Sequence, residues 1–350
     1  MIFSTNAGPE TFADTGAQAK PEYGSCRRVG LLRFRMAHFF CLREDESIPE
    51  KTVKSFSWCV LLALFLPAAG AFSQAKKTVT SAKTTSGATR TLRVPQGDVG
   101  RWPGNCARCS MEAQSWEAVN GTCYYPVDME KAPGTYTISR RTTGGKLESA
   151  QLVVVEKTFK EEDFKNFPKA EYVKVSAKNL ARHQAEMSRV LPLLSAKREE
   201  RKAVFDLPLG KPAAALPDPE NNFGAHRTFN GEERDRHTGD DYPLGAGTTV
   251  RAVGNGRVLL AENLFFSGNS VFIDHGNGLI SEYFHLKNLA VKKNQTVEKG
   301  QKIGEVGETG RVTGPHLHLG IRWHGARVRP GLLLIDPAQL PEVTASTAAN

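Results

Sequence analysis

Gly256-Arg257-Val258-Leu259-Leu260-Ala261, Ser270-Val271-Phe272-Ile273-Asp274 and Leu279-Ile280-Ser281-Glu282-Tyr283-Phe284-His285 are three short runs of β-forming residues, parted by Gly and Asn. Thr249-Val250-Arg251-Ala252-Val253 precedes them. Strands at this spacing, with no helical stretch between them, predict antiparallel sheets rather than alternating βα units. The link Asp274-His275-Gly276-Asn277-Gly278 reads as a turn between strands, since Asn-Gly favours positive φ.

Two more segments bring groups of the same chemistry. In His316-Leu317-His318 the histidines are two residues apart, and on an extended strand they share a face. His237-Thr238-Gly239-Asp240-Asp241 offers an imidazole and a carboxylate around a Gly. Two His and one Asp form a three-ligand zinc set that leaves a coordination position for water. The residue types alone do not say which of His285, His316 and His318 would bind the metal. A lone His in a strand is usually structural, but these five residues are read together, because a site is a collective arrangement.

His237-x-Gly239-x-Asp241, Tyr283-x-His285-Leu286 and Gly314-Pro315-His316-Leu317-His318 resemble the signature of the LytM/lysostaphin-type zinc endopeptidases, which cut peptide cross-bridges in bacterial cell walls. Phe223-Gly224, Gly256-Arg257-Val258, Ile273-Asp274-His275-Gly276 and Gly300-Gln301-Lys302-Ile303-Gly304 match as well, so the resemblance covers residues 203–341. It implies that His237, Asp241 and His318 bind one Zn2+ per chain, and that His285 and His316 stay unligated and act in catalysis. It further implies a mainly β architecture, with a C-terminal antiparallel LytM-type peptidase domain behind a small β-sandwich-like domain and a connecting helix. The sequence departs from some relatives at Glu232-Glu233-Arg234-Asp235-Arg236, where no Tyr stands to support a transition state; Tyr242 and Tyr283 are the nearest substitutes.

Of the other histidines, His275 reads as a turn residue and His324 as a hairpin-tip residue, while His183 among helical residues and His226 in a loop read as surface residues rather than ligands. Asp240 faces away from Asp241, because neighbouring strand side chains alternate. Val297 to Gly307 resembles the turn-rich sequence of biotinyl- and lipoyl-carrier domains, but Lys299 and Lys302 lack the flanking residues of a carrier lysine.

Upstream, Lys51-Thr52-Val53-Lys54 and the apolar run from Ser57 to Leu66 form the basic and hydrophobic parts of a signal peptide, with small residues at Ala69-Gly70-Ala71. The apolar run is short for a stable membrane span. Residues 51–73 are therefore read as the signal and 1–50 as a leader outside the folded protein, with translation expected to begin later, at a start codon now read as Val53. Residues 74–88 read as a Lys/Thr/Ser-rich linker, 89–159 as the small β domain, 160–202 as a helical connector broken or kinked at Pro192, and 342–350 as a disordered tail. Cys106, Cys109 and Cys123 lie in the small domain; an oxidising compartment suggests one disulfide and one remaining thiol.

The sequence carries 46 basic and 37 acidic residues, a formal charge of +9. Removing residues 1–73, with eight basic and seven acidic residues, leaves +8. That excess suits an anionic wall polymer, and no recognition motif points to nucleic acid. The expected function is hydrolysis of peptide cross-links in peptidoglycan, at a D,D-bond of meso-diaminopimelate-type wall, by a protein exported to the periplasm or cell envelope and not stably inserted in a membrane. The alternatives are a non-catalytic LytM-like activator of a cell-wall amidase and a zinc protease acting on proteins.

Overall fold

The computed structural model describes residues 90–195 and 201–345. The leader, signal segment and linker lie outside these residues. Among the described residues, no helix is long and apolar enough to cross a membrane.

The C-terminal half is built on a nine-stranded sheet in which every pairing is antiparallel, as the strand spacing predicts. Its main path runs Gly239–Tyr242, Leu317–Trp323, Leu279–Leu289, Gly268–Asp274, Gly256–Leu264, Thr296–Val297. Strand Lys302–Val306 branches off Leu279–Leu289 and pairs Thr249–Arg251. Period-two alternation gives the sheet two different faces. Leu317, Leu319, Ile321 and Trp323 point into the main core with Leu279, Tyr283, Val271 and Ile273. His318, one residue out of phase, lies on the opposite face with Ile280 and Phe284.

That opposite face is covered in part by the helix Ala177–Ser195, whose Val190 packs on Leu259, Leu260, Phe272 and Ile280. Buried Glu186 fixes the helix further, accepting the Phe265 amide at 2.8 Å and Arg182 Nε at 2.7 Å. Pro192 does not end the helix as its ring chemistry suggested. The helix continues through it to Ser195, and Leu193 and Leu194 pack against the same apolar cluster, which offsets the amide bond the proline forfeits. The connector is not helical throughout either: Glu161–Phe164 forms a parallel strand beside His226–Phe229, a pairing too remote in sequence to show in local pattern.

The small domain is a six-stranded sheet faced by the two-stranded ribbon Val99–Pro103 and Thr122–Pro126, closing on Leu92, Trp116, Tyr125, Ile138 and Leu152. Cys109 and Cys123 form the disulfide, with Cα atoms 5.5 Å apart, and Cys106 is the buried free thiol. Residues 342–345, expected as the start of a disordered tail, are ordered. Thr344–Ala345 pairs antiparallel with Arg90 and Thr91, and Glu342 accepts from Arg101 at 2.6 Å. Backbone pairing to a distant strand overrides the low-complexity composition of this stretch.

Candidate metal centre

The register of three strands assembles the site. Asp241 lies directly across from His318, and His318 across from Phe284. Cross-strand partners share a face, so the Asp241 carboxylate and the His318 imidazole meet. Asp240 points the other way and accepts the Gly331 amide at 3.1 Å, as alternation requires. His237 precedes the edge strand and is tied by backbone bonds to Gly224 and Ala225. Gly239 is obligatory here: a Cβ would stand 2.3 Å from Leu319 O and 2.6 Å from His318 Nε2.

Three atoms converge. His237 Nε2 lies 2.8 Å from His318 Nδ1 and 3.1 Å from Asp241 Oδ1, and His318 Nδ1 lies 3.0 Å from Asp241 Oδ1. His237 Nδ1 faces the Asn222 carbonyl at 3.0 Å and so carries the proton, which leaves a lone pair on Nε2. His318 Nε2 is buried with no hydrogen-bond partner, while its Nδ1 points at the carboxylate. Lone pairs brought this close repel unless a cation lies between them. Tetrahedral zinc with N and O ligands at ~2.0–2.1 Å would hold its ligand atoms roughly 3.3 Å apart, so the donor set and its spacing fit that ion with small adjustment. Among the described residues, His237, Asp241 and His318 form the one cluster of this kind.

Asp241 is aimed by its surroundings. Its Oδ2 accepts from Asn222 Nδ2 at 3.0 Å and Arg227 Nη2 at 2.9 Å, and its amide donates to Asn222 Oδ1 at 3.2 Å. Burial works to raise its pKa, but the His237 and His318 imidazoles beside it outweigh burial and hold the carboxyl well below its ordinary range.

A second imidazole pair flanks the triangle. The His285 and His316 rings are 4.9 Å apart between centroids. His285 Nδ1 donates to Thr309 O and His316 Nδ1 to Gly314 O, each at 2.9 Å, which leaves Nε2 of both as acceptors. His316 Nε2 stands 3.6 Å from Asp241 Oδ1, farther than the two nitrogens of the triangle. His285 sits at φ +64°, in the left-handed region, where the strand's register against Gly268–Asp274 shifts between Tyr283 and Leu286. A non-glycine residue there costs about 1–2 kcal/mol, and strain of this kind gathers at functional sites. Burial first, then His316 and His318, depress the His285 pKa well below the usual histidine value, so the ring is neutral at neutral pH.

His237, His285 and His318 open onto a cavity of about 310 Å³, lined also by Arg227, Arg234, Arg236, Arg311 and, from the helix, His183. His183 is half-buried against Phe266 rather than a plain surface residue. Tyr242 and Tyr283 do not reach this cavity: both are buried, and Tyr283 Oη accepts the Val253 amide at 2.9 Å. His275 and His226 lie elsewhere, His275 fully buried at its hairpin turn. His324 is at a hairpin tip as expected, but is stacked on Trp116. Sequence reasoning missed Asn222, which follows the Pro-rich run Pro217-Asp218-Pro219, and Arg227, which lies on strand His226–Phe229.

Residues 235–330 match the model of Peptidase family M23, so the chain carries a domain of that family. It is 49% identical over 82 residues to the peptidoglycan DD-endopeptidase ShyA of Vibrio cholerae, a match covering 23% of this chain and 19% of that protein. It is 39% identical over 106 residues to the DD-carboxypeptidase/endopeptidase Mpg of Neisseria meningitidis, covering 30% of this chain and 24% of that one. The chain thus spans about a fifth to a quarter of the length of these curated relatives. A crystal structure described as a peptidase M23 from Pseudomonas aeruginosa aligns over 68% of this chain and 94% of its own, at 25% identity and a TM-score of 0.51.

Proposed function

We propose that this protein is a zinc-dependent endopeptidase that hydrolyses peptide cross-links of peptidoglycan, at a D,D-bond of meso-diaminopimelate-type wall. The triangle of His237 Nε2, Asp241 Oδ1 and His318 Nδ1, with the free Nε2 atoms of His285 and His316 beside it, carries the reading. The chain's likeness to ShyA, whose name gives peptidoglycan as its substrate, and to Mpg, named for DD-carboxypeptidase and endopeptidase activity, supports the substrate class.

His237, Asp241 and His318 would hold the ion. Zinc supplies an acidified water and polarises the scissile carbonyl when bound. The chain's own residues do the rest. His285, neutral and with Nδ1 tied to Thr309 O, offers Nε2 to the proton of the attacking water. His316, oriented through Gly314 O, stands on the same side and shares the transfer to the departing amine. Asn222 and Arg227 hold the carboxylate in place while this happens.

Digestion of purified sacculi by the zinc-loaded protein, with and without chelator, tests the reading. Mass analysis should find cross-linked muropeptides converted to monomers only in the metal-loaded sample. Intact dimers in both samples would refute it. The location in the envelope rests on the signal reading, and N-terminal sequencing of envelope protein should start between Gly70 and Lys76.

A further inference from the structure

Four arginines line the cavity that holds the imidazole groups, and three of them are engaged. Arg227 donates to Glu162 at 2.8 Å and Asp241 at 2.9 Å, Arg234 to the carbonyls of Glu233 and Val173, and Arg236 to the Gly224 carbonyl at 3.0 Å. Arg311 differs. Its guanidinium carbon lies 5.0 Å from the Phe229 ring centre and 4.8 Å from that of Phe266, and among the described residues no acceptor takes a hydrogen bond from its N–H groups. The backbone around it is fixed: the Arg311 amide donates to Phe266 O at 2.8 Å, and Lys169 clamps the carbonyls of Glu308 and Gly310 at 3.1 and 3.2 Å. A Cβ at Gly310 would stand 2.5 Å from Phe266 O, so this close approach of two loops requires glycine.

A half-buried guanidinium held against two aromatic rings, with no protein acceptor among the described residues, has N–H donors free to meet an anion entering the cavity. The rings take up none of its N–H donors, which remain for a planar, bidentate acceptor. Burial, with Arg234 and Arg227 nearby, lowers its pKa to about 10, which leaves it charged at neutral pH. Asp235 is the single carboxylate residue among the cavity's lining, against four arginines.

We propose that Arg311 is a specificity-determining residue that binds a free carboxylate of the peptide substrate within the cavity that takes the scissile bond. The idea rests on the wall-peptidase reading and narrows it. In a D,D-cross-link of meso-diaminopimelate, a carboxylate sits on the carbon that bears the departing nitrogen, and its carboxamide counterpart is isosteric but uncharged.

The test measures binding apart from cleavage. The tripeptide L-Ala-γ-D-Glu-meso-diaminopimelate and the same peptide with the D-centre carboxylate amidated are titrated calorimetrically into the full-length protein and into Arg311→Gln and Arg311→Lys. Wild type should bind the carboxylate form about 10–100-fold more tightly than the amide, the scale of a charge-assisted pair. Arg311→Gln should erase that ratio, and Arg311→Lys should keep part of it. The comparison of the two peptides on wild type needs no variant to fold. Equal binding of both peptides by wild type, or a ratio that survives in Arg311→Gln, overturns the proposal. Carboxylate-selective binding without cleavage of cross-linked dimers would support Arg311 and refute the endopeptidase reading alone.

Discussion

Replacing Asn222 should loosen the metal without touching a ligand. The residue is buried and serves the site three times: its carbonyl faces His237 Nδ1, its Nδ2 donates to Asp241 Oδ2, and its Oδ1 accepts the Asp241 amide. Asn222→Ala keeps the first contact and deletes the other two. A hydrogen bond to an ionised carboxylate contributes about 1.5–3 kcal/mol and one to a neutral amide about 1 kcal/mol, so the loss is about 2–4 kcal/mol. The part that aims Asp241 appears as metal affinity, which falls about 10–100-fold when such supporting contacts are removed. Asn222→Asp should be worse, because it sets a second carboxylate about 3 Å from Asp241 Oδ2, where the amide nitrogen now stands at 3.0 Å. Zinc affinity by chelator competition, with thermal melting of the metal-free proteins alongside, separates the two effects. Excess zinc should restore much of the activity of Asn222→Ala. If both variants bind zinc as tightly as the parent, the supporting role assigned to Asn222 is wrong.

Other expectations follow from the same geometry. His285→Ala and His316→Ala should keep one zinc per chain and lose about 10²–10⁴-fold in hydrolysis, the usual worth of a proton-transfer group; if His316→Ala loses metal while His318→Ala retains it, the two have been assigned in reverse. Gly239→Ala should displace the His318 ring or part the edge strand, since both contacts of the new Cβ fall well under van der Waals distance, and a loss of about 1–3 kcal/mol in stability is expected; an unchanged melting temperature and zinc content would contradict this. Acid should destabilise the fold through His275, whose pKa burial lowers to about 4. Its folded pKa lies below the unfolded value of about 6.5, so the associated stability is complete above that pH and is lost as pH falls toward 4, up to about 3 kcal/mol. Denaturant titrations between pH 6.5 and 4 should show about one proton fewer taken up on unfolding in His275→Gln, and an unchanged slope would refute the argument.

The antiparallel sheet and the shared face of His316 and His318 were legible from short-range signals, whereas the grouping of these two with His237, Asp241 and His285 was carried by the resemblance to the LytM/lysostaphin-type enzymes. Strand period, Asn-Gly turns and a two-residue His spacing act within a few positions. The rest depends on partners far along the chain. Asn222 meets Asp241 across a chain reversal, and nothing in Pro217-Asp218-Pro219-Glu220-Asn221-Asn222 marks one of two adjacent asparagines for the interior. His183 looks like a surface residue on its own helix until the helix is laid on the sheet beside Phe266. Pro192 is tolerated for a reason outside the helix, the apolar cluster under its last turn.

The pairing of Thr344–Ala345 with Arg90 and Thr91 makes the peptidase domain an insertion within the small domain's sheet. During synthesis, Arg90 and Thr91 therefore wait for this partner until some 250 further residues have emerged, their backbone groups on that side meanwhile available to another strand. Proteolytic trimming back to residue 341 would restore that open edge in the finished protein, turning a minor clip at the surface into a route to self-association.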